Sequence, residues 1–292
     1  MIQRRKTCFP GSNILRPIRK RCPIEVGVKA CICQTSDKRQ RGYIGDQYYP
    51  IRHAALVSPS AAYAAVATDF DASTDYFTRG AAYTGIVAGK LGTGSFWMNS
   101  ADVTSLQVLF YSITATRVWA QLQTTSKLQF FFRGGAGAVR WEAETTTSLV
   151  NGTWHHVMYS FDVNAGVNEQ HLYLDGAEDK NTTAGPVDGT VFYQDPEDWS
   201  IGATVAGGSK WDGCLSDFYF NSVDFLDLSV ASNREKFIKS GKPVDAGSDG
   251  SDPTGAIPMV YLRNGFATWG TNLGNGGSLT DQGSAANCAD AP

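Results

Sequence analysis

The chain has 292 residues, a formal net charge of −3, 42% hydrophobic residues and 31 glycines. That length suits one large all-β domain with appendages or two small domains, and the glycine- and aromatic-rich composition favours strands and turns over helices. No apolar run approaches the roughly 20 residues of a helical membrane span, and the basic N-terminus lacks the apolar core of a secretory signal. A chain made and released as a soluble protein, or assembled inside the cell, is the expectation.

The small net charge hides a strong asymmetry. Residues 1–52 carry twelve Lys or Arg, among them Arg4, Arg5, Arg16, Arg19, Lys20 and Arg21, against Glu25, Asp37 and Asp46. The segment is therefore +9 and the remainder −12. Four of the six cysteines, Cys8, Cys22, Cys31 and Cys33, also fall there. With Pro10, Pro17, Pro23 and Pro50 and no sustained periodicity, the segment cannot bury enough apolar surface to offset its own ordering entropy. It reads as an anchoring arm that docks on another subunit.

The next residues, 53–265, read as a body of short strands. Ala62 to Ala67 and Asp69 to Phe77 are expected first, then Gly85 to Leu91, Ser95 to Asn99, Gln107 to Ile113, Arg117 to Gln123, Lys127 to Arg133 and Val139 to Glu144. From Trp154 to Asp175 two strands flank a turn: Val157, Tyr159 and Phe161 alternate with His156, Met158 and Ser160, and Leu172 and Leu174 return. Such period-two runs each bury one face. Trp199 to Gly202, Trp211 to Phe220 and Met259 to Leu262 complete the set. Strands with turn signals every 8–12 residues predict a two-sheet sandwich. One short helix is expected where Ser232 and Glu235 have capping-box spacing, with Phe237 and Ile238 facing the sandwich and Gly241 ending the helix. Residues 266–292 read as a Gly-rich tail on the surface or against a neighbour.

The body resembles the concanavalin A-like lectin/glucanase superfamily in its laminin G-like form. The residues that carry the likeness are Gly152-Thr-Trp154-His-His156-Val157, Leu172-Tyr-Leu174-Asp175-Gly176, Ser200-Ile-Gly202-Ala203, and Asp212-Gly213 with Leu215, Phe218 and Phe220. The resemblance implies an antiparallel jelly-roll sandwich in which Trp154, Trp199 and Trp211 pack the core. In the last strand the apolar spacing between Leu215 and Phe218 breaks alternation as a β-bulge does. A narrower likeness, from Leu226-Asp-Leu-Ser229 to Tyr261-Leu262, is to laminin G-like virion proteins of tailed bacteriophages. It implies a non-enzymatic structural component, a decoration, spike or fibre at capsid, neck or tail, located in the virion and bound to other virion proteins and to copies of itself through the arm. A homo-oligomer, a trimer for preference, is then expected, with a host-surface glycan as a further partner. The rival readings are a lectin whose main task is glycan recognition and, below it, a glycoside hydrolase.

Hydrolases of this fold place two or three carboxylates on alternate residues of one strand. The one such pair here is Glu142 and Glu144, without a third acid, and it is expected to be a solvated strand face. A sugar platform needs an aromatic ring beside amides or carboxylates, which nominates Trp97 with Asn99, Trp199 after Asp195 to Asp198, and Trp269. Alternation sends His155 and His156 to opposite faces, so they cannot share a metal, and no zinc spacing of Cys and His occurs. Asp245, Asp249 and Asp252 crowd a Gly-rich loop with oxygen donors suited to Ca²⁺, although a solvated turn is the preferred reading and no metal or cofactor is expected. Cys8, Cys22, Cys31, Cys33 and Cys288 are candidates for disulfides between subunits, and Cys214 for the core. Nucleic acid is a disfavoured partner, since a −12 body repels phosphates and instead attracts a +9 arm.

Overall fold

The computed structural model describes residues 63–112, 118–193 and 198–292. The expectations for the arm, including Arg4, Arg5, Arg16, Arg19, Lys20, Arg21 and Cys8, Cys22, Cys31 and Cys33, concern residues outside this set. In chain order the strands are β1 (Thr68–Asp71), β2 (Phe77–Thr78), β3 (Leu91–Ser100), β4 (Gln107–Ser112), β5 (Val118–Leu122), β6 (Leu128–Arg133), β7 (Val139–Glu144), β8 (Trp154–Asp162) and β9 (Glu169–Leu174). They continue with β10 (Ala177–Glu178), β11 (Asn181–Ala184), β12 (Trp199–Ile201), β13 (Asp212–Asn221), β14 (Ile238–Lys239), β15 (Lys242–Pro243), β16 (Val260–Leu262), β17 (Thr280–Asp281) and β18 (Ala286–Asn287). Two short helices, α1 (Ala231–Arg234) and α2 (Phe266–Trp269), interrupt the late strands.

The strands form the expected antiparallel sandwich. One sheet runs β10-β9-β8-β3-β13-β1-β18, with β16 also on β13; the other runs β11-β7-β6-β5-β4-β12-β2-β17. Alternation places Phe96, Tyr159, Phe161, Phe218 and Phe220 of the first sheet against Phe110, Phe130, Phe132 and Trp141 of the second, all in one buried cluster. Tilted ring pairs such as Phe130–Tyr159 (5.1 Å) and Phe132–Phe161 (4.5 Å) cross between the layers. Aromatic contacts of this kind add to the plain gain from burial. Room for the Tyr159 and Phe161 rings of β8 comes from β3, where a Cβ at Gly92 or Gly94 would overlap the Phe161 or Tyr159 ring. The expected bulge is present: the β3–β13 register shifts between Ser216 and Tyr219, and Asp217 takes a positive φ of 49°.

The outer face of the first sheet is covered by chain. Met158, Tyr173, Tyr219 and Tyr261 point outward from its strands and form a second buried cluster with Leu226, Leu228, Phe237 and Ala246. This roof is pinned by polar bonds as well as by apolar burial. Thr93 Oγ1 accepts from the Leu226 N–H (3.0 Å) and donates to the Asp224 carbonyl (2.9 Å). Beneath the same face His156 is fully buried, its Nε2 2.8 Å from Ser95 Oγ. Burial disfavours the imidazolium and lowers the His156 pKa to about 3. Asp217 is also buried there, accepting bonds from Tyr63 and from Ser216 (2.8 Å). Desolvation raises its pKa to about 6.

Four local expectations are corrected. Helix α1 has Val230 at its N-cap and no side-chain capping bond, so the Ser232–Glu235 box does not form because the helix begins before Ser232. Residues 85–91 hold no strand before Leu91; only Gly89 bridges, to Val191. The Gly-rich C-terminal stretch is woven into the sandwich, with β17 on β2, β18 on β1 and Trp269 fully buried. Cys288 forms a disulfide with Cys214 of the same chain, at a Cα–Cα distance of 6.0 Å. It therefore supplies no thiol for a bond to another subunit, and Cys214 is a cross-link rather than a plain core residue.

Candidate functional site

The outer face of the second sheet contrasts with the roofed one. Its outward positions follow from alternation. In β5 these are Trp119 and Gln121, in β6 Gln129, Phe131 and Arg133, and in β7 Arg140, Glu142 and Glu144, while Ala120, Phe130, Phe132, Trp141 and Ala143 turn into the core. Register then assembles rows across the strands. Tyr111 lies opposite Trp119, Trp119 opposite Phe131, and Phe131 opposite Glu142. In the next row Gln121 faces Gln129, Gln129 faces Glu144, and Glu144 faces Asn181. Strands spaced about 4.8 Å apart set each residue roughly one ring width from the next. An aromatic row therefore runs beside a row of amides and acids.

The two rows are held in place by their own contacts. The Trp119 and Phe131 rings stack face to face, 3.8 Å between centroids and 9° from parallel. The Arg133 guanidinium sits 5.0 Å from the Trp119 centroid and donates to Glu142 Oε1 through Nε (2.9 Å) and Nη2. Trp119 Nε1 donates to Gln121 Oε1 (3.1 Å), Gln121 Nε2 to Gln129 Oε1 (3.2 Å), and Asn181 Nδ2 to Glu144 Oε1 (3.0 Å). Apart from buried Phe131 and exposed Asn181, these side chains are half-buried. The array offers apolar ring edges, amide donors and acceptors, and carboxylate oxygens on one accessible surface. Such surfaces bind polyhydroxylated molecules, whose C–H faces lie on rings while their hydroxyls bond to amides and acids.

The structure places the residues singled out in the sequence elsewhere. Trp97 is 4% exposed and packs on the His156 ring (4.7 Å). Trp269 is enclosed between Phe70 (5.6 Å) and Phe77 (5.0 Å). Neither ring can meet a sugar. Asn99 is half-buried opposite Trp154 and Cys214. Trp199 and Trp211 do pack the core, whereas Trp154 is half-buried at the start of β8. His155 and His156 part as expected, the first pairing with Asp175 Oδ2 (2.8 Å). Glu142 and Glu144 share the open face, yet Arg133 and Asn181 engage them. The calcium candidates do not converge into a ligand set: Asp245 is turned to Arg263, and Asp249 binds Ser251. A group of Asp69, Cys214 and Cys288 lies close together, but its two sulfurs are bonded to each other and offer no thiolate.

Trp119, Phe131, Arg133, Gln121 and Gln129 carry the face, and sequence reasoning passed over them. Their signal was present in the polar or aromatic residues at alternate positions of three consecutive strands, W-x-Q, Q-x-F-x-R and R-x-E-x-E.

Comparison with known proteins agrees with this architecture. Residues 71–223 match the family model described as the concanavalin A-like lectin/glucanases superfamily. No curated protein matches the chain. Among solved structures, a "putative carbohydrate binding protein" from Bacteroides ovatus ATCC 8483 is 14% identical with a TM-score of 0.54, over 77% of this chain and 60% of that one. The heptameric SAP-like pentraxin of Limulus polyphemus is 14% identical with a TM-score of 0.48, over 76% of this chain and 94% of that one. Domains LG4-5 of the mouse laminin alpha1 chain are 17% identical with a TM-score of 0.35, over 53% of this chain and 43% of theirs.

Proposed function

The chain belongs to the concanavalin A-like lectin/glucanases superfamily, and from that premise we propose that the open face of its second sheet binds carbohydrate. The observation that carries this reading is the paired rows, Tyr111-Trp119-Phe131-Glu142 beside Gln121-Gln129-Glu144-Asn181. A glycan laid across the strands meets rings along one row and hydrogen-bonding groups along the other. Arg133 and Arg140 balance Glu142 and Glu144 in formal charge, so the face suits a neutral glycan. Binding without turnover is part of the proposal. Arg133 donates to Glu142 Oε1 through both Nε and Nη2, so this carboxylate oxygen is engaged in holding the face together.

Screening the full chain on a glycan array, followed by calorimetry with the best ligand, tests the reading. Trp119→Ala is expected to weaken binding by about tenfold or more, with Glu178→Ala, on β10 of the first sheet, unchanged. Binding untouched by Trp119→Ala removes the site. Polysaccharide cleavage abolished by Glu142→Ala replaces binding with hydrolysis.

A second reading concerns where the face is displayed, and the observation favouring it is the +9 segment joined to a −12 remainder. We propose that residues 1–52 attach the sandwich to a particle, a phage virion in the form the sequence suggests, and that several copies together raise avidity for a weakly held glycan. The Cys214–Cys288 bond suits a protein that works in oxidising surroundings. Detection of the chain on purified particles by mass spectrometry and immunolabelling supports attachment, and its absence from them removes it.

A further inference from the structure

A second cluster lies away from the open face, on the roofed sheet. Glu169 and His171 are alternate residues of β9 and so share its outer side, and Asp227 reaches them from the roof. One donor atom from each lies within 4.8 Å of the other two. His171 Nε2 is buried and makes no hydrogen bond; its nearest partner, Asp227 Oδ1, is 3.4 Å away. That is long for an N–H···O bond, which prefers 2.7–3.2 Å. It is the separation two ligands adopt when each binds one tetrahedral ion at about 2.1 Å, which gives roughly 3.4 Å between them.

The surroundings fix the donors in place. The His171 ring lies nearly parallel to Phe225 (6.0 Å, 24°). Asp227 Oδ1 accepts from the Ser229 N–H (2.8 Å) and hydroxyl (2.6 Å), which orients the carboxylate. Outer contacts of this kind hold ligands in metal sites. The nearby cation, Lys180, donates instead to the Gln170 carbonyl (2.7 Å) and lies 3.7 Å from Glu178. Among the described residues no lysine or arginine pairs with these two carboxylates.

We propose that Glu169, His171 and Asp227 bind a divalent transition-metal ion of the zinc class. The imidazole nitrogen selects such an ion over Ca²⁺ or Mg²⁺, which take oxygen ligands. Three protein ligands leave one position of a four-coordinate ion to water. Because Asp227 belongs to the roof and Glu169 and His171 to the sheet, the ion clips one to the other. This site is independent of the glycan face.

The test uses the full chain, stripped with chelator and alkylated under non-reducing conditions so that free thiols do not compete. Zn²⁺ is titrated by calorimetry, and Co²⁺ by its visible absorption. The expected result is one equivalent bound, with a Co²⁺ spectrum of nitrogen and oxygen ligation and a shifted His171 ring resonance in NMR. His171→Ala and Asp227→Asn are each expected to weaken Zn²⁺ by about tenfold or more. Glu169→Gln, at an exposed position where folding is not at stake, is expected to weaken it as well. Metal-free melting temperatures of the variants serve as the folding control. No bound equivalent, an equivalent retained by all three variants, or a preference for Ca²⁺ over Zn²⁺ overturns the proposal.

Discussion

The two sheets of this sandwich share their inner faces in one core but treat their outer faces in opposite ways. The first sheet turns Met158, Tyr173, Tyr219 and Tyr261 outward and spends residues from the stretch after β13 to cover them. The second turns out Trp119, Gln121, Gln129, Arg133, Glu142 and Glu144, which remain half-buried. Covering a face stabilises the fold through apolar burial. Leaving a face of rings and amides open forgoes part of that gain and keeps a surface on which a ligand can lie. The contrast assigns stability to one side and recognition to the other.

That contrast can be strained experimentally, and the largest effect is expected at the sandwich edge. Cys214 and Cys288 are 74 residues apart in sequence, and closing a loop of that length stabilises by about 4 kcal/mol in the chain-entropy account. Cys214→Ser with Cys288→Ser is expected to lower unfolding free energy by about that amount in urea titrations and to leave glycan affinity unchanged. Next comes the roof. Leu228 is a fully buried part of it, so Leu228→Ala is expected to cost about 3 kcal/mol, read by the same denaturation, again with binding intact. Loss of glycan binding in this variant, while folded, would blur the division of labour.

A smaller effect separates the two buried titrating groups under the roof. Folded Asp217 keeps its proton up to about pH 6, whereas an unfolded aspartate releases it near 3.9. Native protein therefore holds the extra proton between those values, and this contribution to stability is lost as pH rises through them. His156 acts the other way. It stays neutral in the fold down to about pH 3, while the unfolded residue gains a proton below about 6.5, so its contribution is lost as pH falls. Between about pH 4.5 and 6 the two slopes oppose each other. Asp217→Asn is expected to make stability rise more steeply with pH than in the wild type, by about 1.4 kcal/mol per pH unit. Identical slopes in the two proteins would show that Asp217 does not keep its proton. The smallest stability effect is expected on the open face, where Trp119→Ala chiefly loses the close stack on Phe131, a change of about 1 kcal/mol, although it abolishes most of the affinity.

Much of the fold could be read from local pattern. Residues 139–144 and 154–162 alternate because their inward positions face the shared core, and the structure places β7 and β8 there, although the outward side of β8 is buried as well. The break between Leu215 and Phe218 marked the bulge for the same reason. What alternation cannot show is which side a distant segment will cover. Trp97 sits on the outward side of β3 and read as a platform, but it is buried there against His156. Trp269 lies among glycines, yet α2 turns it into the core. Cys214 and Cys288 meet only because β1 pairs with both β13 and β18. The open face was missed for a related reason. Trp119, Phe131 and Glu142 come from separate strands, and only register joins them into a row.

The most direct test of the account is hydrogen–deuterium exchange of the full chain with and without a neutral oligosaccharide selected on the array. Slowed exchange confined to β5, β6, β7 and their edges is the predicted result. Protection centred on β3, β8 and β13, or no change at saturating ligand, would contradict it.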